Sequence, residues 1–91
     1  MRHQRVPITE LTIGNTTHLV QGSVMIVERE QGAADWEVVA TTLVEERFEA
    51  GVYDLVLGDD QGRRWDGTAV HVRSVETTHV FRGSGSIECS D

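Results

Sequence analysis

The chain has 91 residues, a net charge of −7 and 38% hydrophobic residues, with two tryptophans, two phenylalanines and one tyrosine. That length supplies one small core and leaves no room for a second domain or a deeply enclosed active site, so residues 1–91 are read as a single domain. The acidic balance argues against general nucleic-acid binding, because an acidic domain is repelled by a phosphate backbone.

The charge is unevenly spread. Residues 28–60 hold ten acids against Arg29 and Arg47, a local balance of −8, so the rest of the chain sums to +1. Arg2, His3 and Arg5 at the start, and the Arg63-Arg64 pair, are the only basic clusters, and both read as solvated charge. Val, Ile and Thr are abundant, whereas Ala and Leu supply five residues each, a balance that favours pleated strands over helices. Nine glycines against a single proline suggest turns and bulges within an ordered chain.

Taken in chain order, residues 6–13 read as a first strand, with Pro7 placing its start at a sheet edge. Gly14-Asn15 is a tight-turn signal leading into a long second strand from Thr16 to about Glu28, with Gly22 marking a bulge or bend. Val24-Met25-Ile26-Val27 is apolar on both faces, so that half is expected to be covered on both sides. Glu30 to Asp35 is a loop. The run is far too short for a membrane span or a signal-peptide core, and the chain is expected to be soluble and cytoplasmic.

Two readings compete over residues 36–50. As a helix, Trp36, Val39, Ala40, Leu43, Val44 and Phe48 form one stripe, with Asp35 as N-cap and Gly51 just past the end. As a strand, Trp36, Val38, Ala40, Thr42 and Val44 alternate with their neighbours, and the β-branched cluster favours this reading through about Val44. On the next strand, Tyr53, Leu55 and Leu57 point one way toward the core while Asp54 faces water. A turn through Gly58–Gly62 leads to a strand over 63–73, and another near Val75-Glu76 to a strand over 77–82. Gly83-Ser84-Gly85-Ser86 reads as a flexible or bulged segment before Ile87. The fold class is all-β: a small antiparallel barrel or two-layer sandwich of about six strands, built from consecutive hairpins.

Motifs that carry chemistry are sparse. His18, His71 and His79 stand on separate strands without the paired spacing of zinc ligands, although His71 and His79 flank one hairpin and are candidate cross-strand neighbours. The acids around Gly58–Gly62 lack the alternating ligands and closing Glu of a calcium loop, and Asp and Gly there suffice as turn formers. Neither metal nor other cofactor is expected. Glu45-Glu46 reads as a solvated run. Cys89 has no internal partner, and acids at Glu88 and Asp91 disfavour its thiolate. Thr16–Ser23 and Thr77–Ser84 share a Thr-Thr-His…Gly-Ser pattern, either a pair of equivalent strands carrying His18 and His79 or a coincidence of common strand residues.

Trp65, set between Arg64 and Asp66 just past a turn, is a candidate exposed contact, and Trp36 a second; the competing reading is that both cap the ends of a small core. The expected function is a non-catalytic protein-interaction or assembly module, meeting a protein partner or its own copies through a strand edge or the Trp65 face. Its runner-up is a small-ligand barrel or minor enzyme with a shallow pocket lined by His71, His79, Tyr53 and Trp65. A third reading is a component of a larger particle such as a phage or secretion machine.

Overall fold

The computed structural model describes residues 2–90. Six antiparallel strands close into a barrel: β1 (Arg2–Ile13), β2 (Thr16–Glu28), β3 (Asp35–Thr42), β4 (Val52–Asp59), β5 (Arg64–Val75) and β6 (Thr78–Ser90). Around the barrel the order is β1-β2-β3-β6-β5-β4, and the ring is completed by β4 pairing with β1. Among the described residues there is no helix, and hence none long and apolar enough to cross a membrane.

The ring resolves the choice between barrel and sandwich, and it changes what the ladder offers. Exposed strand edges, expected for an open sheet, are reduced to short overhangs at the two ends of the barrel, the longest at the tryptophan end. Residues 2–7 of β1 pair only with β2, and β6 beyond Arg82 pairs only with β5. Pro7 sits in the first overhang, opposite Ser23 and just before β4 pairing begins at Ile8, where a missing N–H breaks no second ladder.

The hairpin turns fall at the three expected places. Ile13 pairs with Thr16 around Gly14-Asn15, Gly58 with Arg64 around 59–63, and Val75 with Thr78 around Glu76-Thr77. The stretch 36–50 resolves as strand to Thr42 followed by an irregular strap over 43–51, so the helix reading is set aside. Its β-branched residues pair along both edges, with β2 and β6, and supply two of the barrel's inter-strand ladders. The segment 83–86, expected to loosen or bulge, remains within β6 and carries a large bulge: Gly67 faces Ile87 while Ala69 faces Gly83.

Alternation puts Val6, Ile8, Leu11, Val24, Val38, Leu55, Leu57 and Phe81 inside, where little or none of their surface meets water. Each such side chain contributes about 1.5–3 kcal/mol of burial, and together they fill the lumen. Gly22 lies beside the β1–β2 irregularity, but its stronger constraint is proximity: a Cβ there would lie 2.8 Å from the Cα of Ala40 on β3. Trp36 imposes the other glycine requirement. Its indole lies over Gly67 and Gly83, leaving no room for a Cβ at either, and its Nε1 donates to the Gly85 carbonyl at 3.0 Å.

Candidate functional site

The two ends of the barrel are chemically different. The strand directions bring Trp36 and Trp65 to one end, and the histidines with Phe48 and Tyr53 to the other. Both tryptophans are buried, 3% and 7% exposed, so Trp65 is a core residue and not a surface contact. They cap one end of the core together, not one end each. Trp65 cannot line a pocket with His71, His79 and Tyr53, because it lies at the opposite end of β5. Arg64 is exposed beside it and pairs with Gly58 and Ser90.

At the tryptophan end, Asp59 closes the β4–β5 turn. Its Oδ1 accepts from the backbone N–H of Gln61 at 2.8 Å and of Arg63 at 2.9 Å. Its Oδ2 accepts from Arg63 Nε at 2.8 Å and from Trp65 Nε1 at 3.0 Å. Burial by itself pushes this carboxyl up. The bonds from Trp65, from the two backbone groups and from the Arg63 side chain outweigh that and bring it down to about 2. All four donors belong to the protein, so this aspartate is spent on structure.

The other end forms a mouth plugged by Phe48 on the strap. The ring of Phe48 meets five others edge-on or tilted: His79 with centroids 4.7 Å apart, His18 at 5.4 Å, Phe81 at 5.6 Å, His71 at 6.2 Å and Tyr53 at 6.5 Å. Tyr53 fastens the strap by donating its hydroxyl to the Glu49 carbonyl at 2.7 Å. His18 and Glu46 approach to 3.6 Å, so one glutamate of the pair at 45–46 turns toward the protein while Glu45 stays exposed.

His71 and His79 lie on the paired strands of one hairpin, but their ladder partners are Phe81 and Ser74; the two rings stand 6.5 Å apart and are joined through Ser74. The Ser74 hydroxyl lies 2.8 Å from His71 Nε2 and 2.6 Å from His79 Nδ1. His79 has no exposed surface. Burial lowers its tendency to take a proton, the charge of a protonated His71 and then of His18 adds to that, and Glu46 opposes it. The two histidines of the repeated Thr-Thr-His pattern flank β3 on opposite sides and meet the same phenyl ring. They do so at different levels, since His79 pairs with Ala40 whereas His18 lies beyond the last β2–β3 pair at Val20.

Phe48 was legible as an apolar residue but not as the centre of this cluster, because the strap carries no periodicity that would aim it. Among the described residues no group of three or more His, Cys, Asp or Glu is arranged to hold a metal ion. Cys89 is exposed on β6, and Asp91 lies outside the described residues.

A second feature lies on the outside wall. Outward positions of β2, β3, β6, β5 and β4 form cross-strand rows: Met25–Glu37–Arg82–Val70–Val52 and Ser23–Val39–Val80–Arg73. Val72 is the extra residue of the β5 bulge next to the second row. Met25, Val39, Val52, Val70 and Val72 are exposed large apolar side chains. Val80 faces outward in the same alternation yet is only 7% exposed and is not part of the interior core. The Glu37–Arg82 ion pair, at 3.6 Å, crosses the stripe.

The fold and its two ends define a small closed antiparallel barrel with a filled interior. No protein-family model matches the chain, and neither a curated protein nor a solved structure matches it.

Proposed function

We propose that this chain is a non-catalytic protein-interaction or assembly module that meets a protein partner through the outer wall of β2, β3, β6 and β5. One observation carries the reading: an apolar stripe runs along the outside of the barrel, where alternation ordinarily places polar side chains. The first partner to test is a second copy, because a domain this small gains stability by burying such a face. Ring closure removes most of the ladder edge, so the wall replaces the strand edge as the contact surface.

The ligand-pocket alternative is less well supported, since Phe48 already occupies the space between the histidines and Tyr53. The experiment is light scattering on the wild type and on Val39→Asp with Val70→Asp. The reading expects a mass above that of one chain, falling to one chain in the variant, or a native-cell partner captured by the wild type and lost by the variant. A monomeric wild type whose partners are unchanged by both charges refutes it.

A further inference from the structure

The protons around His79 can be placed one by one. Thr42 Oγ1 lies 2.6 Å from the Val44 carbonyl, a contact only a donor satisfies, so its hydroxyl proton is committed there. The same oxygen then accepts from His79 Nε2 at 3.4 Å, which leaves Nδ1 of that ring unprotonated. Ser74 Oγ, 2.6 Å from Nδ1, is therefore the donor in that contact and accepts in turn from His71 Nε2. This order holds only for a neutral His79. A proton on Nδ1 would require the Ser74 hydroxyl to turn, accept from Nδ1 and donate to His71 Nε2 instead, and it would place a charge where no surface meets water.

The surroundings offer that charge little relief. Facing the ring are Thr42 from β3, His71 and Ser74 from β5, and Phe48 from the strap. His18 from β2 adds a second titratable imidazole across Phe48 and is approached by Glu46, while Glu45, Arg47 and Glu49 of the strap and Glu76 of the β5–β6 turn line the outer side of the recess around Phe48 and Ser74. From β4 comes Tyr53, which meets Phe48 and Phe81 edge-on. The nearer of the two rings facing His79 is Phe48, and the strap that carries it is tied to the barrel by Thr42 at the Val44 carbonyl, His18 at Glu46, Tyr53 at the Glu49 carbonyl and the His71 amide at the Gly51 carbonyl.

We propose that the strap over 43–51 is a proton-released lid: protonation of His79 expels Phe48 and uncovers a recess lined by His18, His71, Tyr53 and Phe81. The sign follows from linkage. Closure favours the neutral ring, so the closed form is fully favoured above the ordinary histidine value of 6.5 and loses ground as pH falls below it. One proton gives a dependence of at most about tenfold per pH unit.

Amide hydrogen exchange at about pH 7.5 and about pH 5.5, corrected for intrinsic rates, tests the lid. Protection across 43–51 should fall by up to about tenfold per unit while β1 and β2 keep theirs. His79→Gln, neutral at both pH values, should abolish the difference, whereas His18→Gln should retain it. Equal strap protection at both pH values, a difference that survives in His79→Gln, or loss of protection throughout the barrel would each overturn the proposal. Should His79→Gln fail to fold, ring resonances of the wild type decide. Phe48 must shift in step with the His79 titration, and a His79 titration that leaves Phe48 unmoved overturns the lid.

Discussion

Replacing Asp59 by Asn tests the anchoring of the tryptophan end most directly. The carboxylate accepts four hydrogen bonds, two at each oxygen, from Gln61, Arg63 and Trp65. An amide keeps the shape but presents one NH2 group, so either orientation turns a donor toward two donors and leaves them unpaired. The carboxyl is held at about 2 against an ordinary 3.8, and at about 1.4 kcal/mol per unit that difference is about 2 kcal/mol of stability at neutral pH. Orphaned donors add to this, and we expect Asp59→Asn to cost about 3 kcal/mol in all.

The pH dependence carries its own sign. A carboxyl lowered on folding stabilises fully above 3.8 and loses that contribution as pH falls toward about 2. The gap between wild type and variant should therefore narrow by about 2 kcal/mol across that window. Urea unfolding followed by tryptophan fluorescence, from neutral pH down through it, measures both quantities. A variant within about 0.5 kcal/mol of the wild type at neutral pH, or a gap that does not change with pH, would refute the reasoning.

Gly83→Ala drives a Cβ into the Trp36 indole and should cost about 2 kcal/mol. Combining it with Trp36→Leu should recover part of that loss, with a coupling of about 1 kcal/mol in a urea double-mutant cycle; strict additivity would count against the glycine seat. Glu76 holds a φ of 56° at the β5–β6 turn, a region costly for any side chain. Glu76→Gly should relieve it and raise the melting temperature by about 4 °C, measured by calorimetry, and a fall would show the strain to be absent.

Much of the fold was legible locally. The three hairpin turns needed only Gly14-Asn15, the Gly58–Gly62 run and the break after Val75, and the inward set Tyr53, Leu55 and Leu57 followed from period-two alternation. β1 begins at Arg2, before the apolar run over 6–13; its polar start at Arg2–Arg5 has no apolar face to mark it and is held in register by β2 alone. The site was less legible. His71 and His79 flank one hairpin in the sequence, but the part of Phe48 and His18 depends on how an aperiodic strap crosses the barrel end. Of the two readings of Trp65, exposed contact and core cap, burial supports the cap, although its charged sequence neighbours point the other way. The partner that buries its polar edge, Asp59, comes from the preceding strand.

What this sequence determined alone was a set of strands and turns, since β-branched content, alternation and glycine placement act over a few residues. Closure of the ring was a tertiary outcome: β1 meets β4 across more than forty residues, a pairing no local pattern specifies. That closure turned prospective free edges into a continuous wall, gathered both tryptophans at one end and three imidazoles at the other, and made Phe48 a plug. These results depend on which side chains converge in space, and convergence is set by register and barrel geometry rather than by any single segment.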